Sequence, residues 1–142
     1  MKKLDWVLLV DDDADCNFFH QRIINRMDCV EKVFVASDGQ DALEFLQYRL
    51  DWKPPGSAII FLDLNMPRLN GWEFMEEFVK IKDKIKTNIV VILLTSSFNP
   101  DDREQASTCN SLDGFRSKSL TKDMFNQILD KHFPELQQQP CV

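Results

Sequence analysis

The chain has 142 residues, of which 44% are hydrophobic and 28% are charged, a length that fits one domain with its own core. With 23 acidic and 17 basic residues its net charge is −6, so it lacks the basic footprint of a nucleic-acid-binding protein. Its apolar runs are shorter than the roughly 18 residues of a membrane span, and no cleavage site of a signal peptide follows the first of them.

The cysteines and histidines are dispersed along the chain. The 4 cysteines form no Cys-x-x-Cys pair, so a zinc site is not predicted. His20 and His132 fall in helical patterns, and we interpret both as surface or packing residues rather than as catalytic bases. We expect reduced thiols and a cytoplasmic location.

Short apolar runs alternate with amphipathic stretches along the whole sequence. The runs predict strands at 6–10, 30–35, 58–62, 89–94 and 112–115, of which the second suits a sheet edge and the last is weak. Helical spacing predicts helices at 18–27, 37–50, 70–84 and 120–133, and a further helix that begins at 99–100. A loop is predicted at 51–57, which holds two prolines and a glycine. The alternation predicts an α/β fold with a parallel sheet and helices on both faces.

Helix starts are marked by side chains that can accept backbone hydrogen bonds. Ser37 with Gln40, and Asn70 with Glu73, have the spacing of a capping box. Asn99 precedes a proline and two acids, which together favour a helix start.

Polar residues follow four of the five predicted strands. They are Asp11, Asp12 and Asp13 after the first strand, Asp63 after the third, Thr95 and Ser96 after the fourth, and Lys118 after the fifth. In an open parallel α/β sheet the functional groups lie at the carboxyl ends of the strands, so these side chains can converge at one edge.

Carboxylates that converge in one place repel each other unless a cation holds them. Oxygen ligands select magnesium or calcium, and magnesium commonly joins one or two carboxylates to a phosphate. A hydroxyl and an ammonium beside such a site suit phosphoryl transfer, and an aspartate can itself be the nucleophile. Taken singly, each acid could instead cap a helix or begin a turn, but chance produces the joint pattern far less easily.

At these positions the chain resembles the receiver domain of two-component response regulators, over about 6–133. The motifs are VDDD at 10–13, FLDLNMPRLNG at 61–71, LTS at 94–96 and FRSK at 115–118. The resemblance implies a flavodoxin-like three-layer sandwich, in which five parallel strands lie in the order 2-1-3-4-5 with five helices. We expect a receiver domain at 1–136 and a short tail at 137–142.

The resemblance also implies a Mg²⁺-dependent phosphorelay function. Asp63 would accept a phosphoryl group from a phosphohistidine on a sensor histidine kinase or a histidine phosphotransfer protein. Asp11, Asp12, Asp63 and the backbone carbonyl of Asn65 would form the metal site. Thr95 and Lys118 would contact the phosphoryl group, and Thr95 and Phe115 would form the switch.

We expect no output domain after the fifth helix, so the signal would leave through a protein-binding face at about 100–131. The downstream protein is not identified by the sequence, and neither nucleic acid nor membrane is expected as a partner.

The sequence departs from the family pattern in two places. Ser119 follows Lys118 where the family usually has a proline joined by a cis peptide, and we expect the cis bond to be kept. Phe115 stands where the family often has a tyrosine, which keeps the aromatic ring and removes the hydroxyl.

Two other functions remain open. A small Mg²⁺-dependent aspartyl-phosphate phosphatase would use the pair Asp11 and Asp13, but that interpretation leaves Asp63 unexplained. The second alternative function is that of a receiver-like interaction module that is not phosphorylated. We favour a signalling receiver that is not an enzyme. It would catalyse only its own phosphorylation and dephosphorylation.

Overall fold

The structure is a computed structural model that describes residues 3–48, 56–64, 66, 68–85, 88–96 and 99–134. In these ranges strands and helices alternate throughout. The strands are β1 (Leu4–Val10), β2 (Val30–Ala36), β3 (Ser57–Leu62), β4 (Asn88–Thr95) and β5 (Gly114–Ser117). The helices are α1 (Ala14–Met27), α2 (Gly39–Tyr48), α3 (Gly71–Lys82), α4 (Pro100–Thr108) and α5 (Lys122–His132).

The five strands form one parallel sheet in the order β2-β1-β3-β4-β5, which confirms the predicted fold class and the edge position of β2. Side chains at 6–10 of β1 alternate between two buried clusters, because successive residues of a strand point to opposite faces. One cluster packs beneath α2, α3 and α4, and the other beneath α1 and α5. These are the three layers of a flavodoxin-like sandwich.

The predicted starts of α3 and α4 are confirmed. Asn70 and Glu73 form a reciprocal capping box, in which each side chain accepts a hydrogen bond from the other residue's backbone N–H. Asn99 caps α4, and its side chain accepts from the N–H of Asp101 at 2.9 Å.

The first helix begins at Ala14, four residues before the apolar stripe 18–27 that predicted it, because the Asp13 side chain caps it there. Two predictions at the ends of elements were wrong. The capping box of Ser37 with Gln40 does not form, because Asp38 instead accepts the N–H of Asp41 at 2.9 Å. Strand β5 lies at Gly114–Ser117 rather than 112–115, since the Asp113 carboxylate accepts a hydrogen bond from β4 just before the strand starts.

The predicted loop at 51–57 is described only at its end, where Ser57 already belongs to β3. Its other residues, apart from Gly56, and the predicted end of α2 at 49–50 lie outside the described residues. Among the helices that the structure describes, none has both the length and the apolar composition needed to cross a bilayer.

The core of α3 gives a stability test. Phe74 is fully buried and its ring stacks on that of Phe78, with 5.7 Å between centroids. We expect Phe74→Ala to lower the free energy of unfolding by about 3–5 kcal/mol, measured by urea denaturation. The matched variant Phe18→Ala changes a ring that is 64% exposed, so its effect should stay within about 0.5 kcal/mol. Equal effects of the two substitutions would contradict the described packing.

Candidate functional site

The site begins where β1 and β3 end side by side. Val10 pairs with Leu62 in the parallel register, so Asp11 and Asp63 leave the sheet at the same level. The N–H of Asp63 donates to the carbonyl of Val10 at 2.9 Å, and the N–H of Asp11 donates to the carbonyl of Ala36 at 3.1 Å. Backbone pairing therefore extends to both aspartates and fixes their position at the carboxyl edge.

Three acidic side chains meet at this edge, as the sequence predicted. Asp11, Asp12 and Asp63 each offer a carboxylate oxygen, and these oxygens lie within 4.8 Å of one another. Asp11 is 5% exposed and Asp63 is 7% exposed, whereas Asp12 faces solvent. We call these three residues the acid cluster.

Lys118 brings the positive charge that faces the acid cluster. Its Nζ lies 2.5 Å from Oδ2 of Asp11 and 3.5 Å from Oδ2 of Asp63. The backbone N–H of Lys118 donates to the carbonyl of Thr95 at 3.0 Å, which fixes the end of β5 against the end of β4. The peptide bond between Lys118 and Ser119 is cis, as expected.

Burial and the lysine act in opposite directions on Asp63. Burial raises the pKa of the Asp63 carboxyl above its usual range, and the nearby charge of Asp11 adds to the rise, while Lys118 opposes it. Burial alone would lower the pKa of the Lys118 ammonium, but its hydrogen bond to Asp11 and the charges of both acids raise that pKa instead. The ammonium therefore stays charged between the two carboxylates.

The backbone after Asp63 folds back on itself. The N–H of Leu64 donates to Oδ1 of Asp63 at 2.9 Å, and the N–H of Gly71 donates to the carbonyl of Leu64 at 2.9 Å. A Cβ atom at Gly71 would lie 2.7 Å from the carbonyl oxygen of Asp63, closer than atoms can pack. Only glycine therefore allows α3 to start so near the buried carboxylate.

Asp13 has a different position from the acid cluster. Its side chain accepts from the N–H groups of Asp15 and Cys16 at the start of α1, and these bonds lower the pKa of Asp13. Its own N–H donates to Oδ1 of Asp11 at 3.0 Å. The interpretation of these acids as helix caps therefore holds for Asp13, while Asp11 and Asp12 lie with Asp63.

The two predicted switch residues lie on neighbouring strands. Thr95 is buried at the end of β4, where it pairs in register with Ser117 of β5. Phe115 is half-buried, pairs with Leu93, and packs against the cluster under α4. The guanidinium of Arg103 lies 5.5 Å from the centroid of the Phe115 ring, within the range of a cation–π contact.

Asn65, whose backbone carbonyl was predicted to bind metal, lies outside the described residues.

Two contacts near the site were not predicted, although His20 was interpreted as a surface or packing residue. His20 is almost fully buried, and its Nε2 accepts a hydrogen bond from the N–H of Leu120 at 3.3 Å, so it packs against the loop after Lys118. Arg68 pairs with Asp38, which lies 30 residues earlier in the chain. No local spacing rule links such distant residues, so a sequence signal for either contact is lacking.

The donor set of the acid cluster fits a hard divalent cation. All of its side-chain ligands are carboxylate oxygens, two of them buried, and oxygen ligands are those that Mg²⁺ selects. Among the described residues, the acid cluster is the group of three or more acidic, histidine or cysteine side chains that could hold a metal ion, and it contains no thiol.

Comparison with known proteins gives a consistent result. A family model described as the response regulator receiver domain matches residues 7–130. Response regulator Rcp1 of Synechocystis sp. is 32% identical over 97 residues, which are 68% of this chain. The matched part spans 65% of the length of Rcp1, slightly less than two thirds of that protein.

Solved structures agree with the family match. A two-component response regulator from Cytophaga hutchinsonii has a TM-score of 0.81 and 32% identity, covering 97% of this chain and 100% of that one. A response regulator receiver protein from Dyadobacter fermentans shares the fold, with a TM-score of 0.77 at 23% identity over 89% of this chain and 95% of that one. The chain belongs to the response regulator receiver family. Receiver domains bind Mg²⁺ at an acidic pocket, and this chain has a cluster of three aspartates that could hold a metal ion.

Removing the lysine charge tests the electrostatics of the site. Lys118→Met leaves Asp11 and Asp63 buried without their cation, so we expect the free energy of unfolding, without divalent cations, to fall by about 3 kcal/mol near neutral pH. Burial raises the pKa of Asp63 in the folded state, so its charged form costs stability above that pKa and protonation removes the cost below it. The difference from wild type should therefore shrink as the pH falls.

Lys80→Met is the matched control, because Lys80 pairs with Glu77 on the exposed side of α3. We expect this exposed pair to contribute less than about 1 kcal/mol. Urea denaturation at several pH values measures both variants. A loss for Lys118→Met that stays constant with pH would contradict the role given to the buried carboxylates.

Proposed function

We propose that the chain is a phosphorelay receiver that accepts a phosphoryl group on Asp63 from a phosphohistidine of a sensor histidine kinase or a histidine phosphotransfer protein. The observation that carries the proposal is the meeting of the acid cluster and Lys118 at the carboxyl edge of the sheet. The family match supports the same conclusion.

The transfer needs a nucleophile and a neutralised phosphoryl group. A carboxylate oxygen of Asp63 attacks phosphorus, the phosphorus–nitrogen bond of the phosphohistidine breaks, and the imidazole nitrogen keeps the bonding electrons and then takes up a proton. Lys118 already lies 3.5 Å from the Asp63 carboxylate, so its ammonium is placed to neutralise a phosphoryl oxygen. Thr95 is buried at the end of β4, and we propose that its hydroxyl donates a hydrogen bond to another phosphoryl oxygen.

Mg²⁺ is the cofactor that the donor set fits. We propose that Asp11, Asp12 and Asp63 hold it together with the backbone carbonyl of Asn65. Bound there, it supplies charge neutralisation for the acids and for the incoming phosphoryl oxygens. The exposed Asp12 keeps one side of the site open to solvent, which suits an ion that retains water ligands.

The signal is proposed to leave through the face formed by α4, β5 and α5, at about 100–131. A groove of about 630 Å³ lies between α4 and β5, and Arg103, Phe115 and Arg116 are among the residues that line it. New charge at Asp63 would draw Thr95 toward it and change the space available to Phe115, so that the groove differs between the two states. The downstream protein would bind one of those states.

We propose a signalling role for the receiver, extending over residues 1–136, and no turnover of a separate substrate. A phosphatase that used Asp11 as nucleophile is disfavoured, because Asp11 is the carboxylate closest to Lys118 and Asp13 caps α1. An interaction module without phosphorylation is disfavoured by the buried position of Asp63 among charged partners, because an unused buried carboxylate costs stability.

Phosphorylation by a small donor tests the proposal. With acetyl phosphate and Mg²⁺, we expect wild type to gain one hydroxylamine-labile phosphoryl group, seen by intact-mass spectrometry, and Asp63→Asn to gain none. Asp15→Asn is the matched control, since Asp15 is an exposed acid of α1 and its substitution should leave labelling unchanged.

The rival functions give different results in the same experiment. A label that maps to Asp11 and persists in Asp63→Asn would favour the phosphatase. No label on wild type would favour the interaction module and overturn the proposed function.

A further inference from the structure

Arg68 ties the loop after Asp63 to the start of α2. Its Nε lies 2.7 Å from Oδ2 of Asp38, and its Nη2 lies 2.9 Å from Oδ1 of Asp41. Ser37 donates to the other oxygen of Asp41 at 2.5 Å, so the second carboxylate is held from both sides. Two carboxylates therefore fix one guanidinium, whose planar fork suits such contacts.

Asp38 is a fixed partner rather than a flexible surface acid. Its side chain is 6% exposed, and its Oδ1 caps α2 by accepting the N–H of Asp41 at 2.9 Å. The hydrogen bond from Arg68 is the largest influence that lowers the pKa of Asp38, so the carboxylate remains charged near neutral pH. The orientation of this carboxylate is set by α2 and not by the loop.

The backbone of the loop is held at the same place. Arg68 has a φ of 62°, a left-handed conformation that non-glycine residues rarely adopt. The next residue, Leu69, accepts a hydrogen bond from the N–H of Gly39 at 3.2 Å. A Cβ atom at Gly39 would lie 2.6 Å from that carbonyl oxygen, so the two loops are in direct backbone contact.

The described end of this loop leads directly into the acid cluster. Leu64 bonds to the side chain of Asp63 on one side and accepts from the N–H of Gly71 on the other. Leu64 is therefore tied to Gly71 at the start of α3, and Arg68 and Leu69, just before that start, are tied to α2 and Asp38. Arg68 pairs with Asp38 and Asp41 and not with the acid cluster, so it contacts the site only indirectly, through the neighbouring backbone at Leu69, Gly71 and Leu64.

We propose that Arg68 is a positioning residue that sets the Mg²⁺ affinity of the acid cluster by fixing residues 68–71 against the start of α2, and through Gly71 and Leu64 the carboxylate of Asp63. The inference rests on the proposed function, in which the Asp63 carboxylate is a ligand of the ion. A carboxylate that is already fixed does not lose conformational freedom when the ion binds, whereas a released carboxylate must be ordered at that moment.

Mg²⁺ titration by isothermal calorimetry tests the inference. We expect Arg68→Gln to weaken Mg²⁺ binding about tenfold, the lower end of the range for residues that orient metal ligands. Asp38→Asn keeps a side-chain oxygen to cap α2 and removes the charge, so it should weaken binding similarly. The double variant should bind no more weakly than Arg68→Gln alone, because that substitution already breaks the contact with Asp38.

The kinetic readout separates positioning from general destabilisation. With acetyl phosphate, the Arg68→Gln variant should be labelled slowly at low Mg²⁺ and at the wild-type rate once Mg²⁺ saturates the site. Arg68→Lys should restore part of the affinity, because an ammonium can contact Asp38 but cannot reproduce both contacts. Lys80→Gln, which breaks the exposed pair with Glu77, is the matched control and should behave as wild type.

The outcomes distinguish the inference from the function on which it rests. If wild type and Lys80→Gln bind Mg²⁺ and are labelled on Asp63, while Arg68→Gln has the same Mg²⁺ affinity as both, the inference is overturned and the proposed function stands. A lower melting temperature of Arg68→Gln with unchanged affinity overturns it in the same way. Failure of wild type to bind Mg²⁺ overturns both.

Discussion

The functional site is defined by carboxylates that lie close together at the carboxyl edge of the sheet. Asp11 and Asp63 are nearly buried, and both face Lys118. One ammonium cannot neutralise all of the acid cluster, because Asp12 adds a further carboxylate within the same 4.8 Å. The three carboxylates therefore carry more negative charge than Lys118 balances, in a place where burial makes charge expensive. In the proposed function, a divalent cation relieves this imbalance and neutralises the charge that an incoming phosphoryl group adds.

The strand order of the sheet brings these charged side chains close together. Parallel pairing of β1 with β3 brings the two buried acids to the same level, and β4 and β5 bring Thr95 and Lys118 to the adjoining positions. None of these strands follows another directly in the way a hairpin would, because a helix separates each pair. The site is thus assembled from four strand ends that only the complete sheet brings together. The geometry of the site therefore depends on the packing of the core.

Much of this could be predicted from the sequence because its signals are local or periodic. Continuous apolar runs identify strands buried on both faces, and polar residues directly after them identify the functional edge. The boundary of β5 could not be predicted this way, because Asp113 bonds to β4 through contacts between segments distant in sequence. The same limit applies to His20, buried against the loop after Lys118, and to Arg68, whose partner Asp38 lies in another loop. Local sequence patterns predict the helices and strands and their buried faces. Contacts between loops that are distant in sequence can be seen only in the assembled fold.

The central claim is that the acid cluster is a cation site whose repulsion Mg²⁺ relieves, and thermal unfolding against Mg²⁺ concentration tests it most directly. A ligand that binds only the folded state at about 100 times its dissociation constant stabilises it by about 2.7 kcal/mol. The account predicts that the melting temperature of wild type rises with millimolar Mg²⁺, and that the rise is largely lost in Asp12→Asn, which removes a ligand from the solvent-facing side. A melting temperature of wild type that does not change with Mg²⁺ would contradict the account.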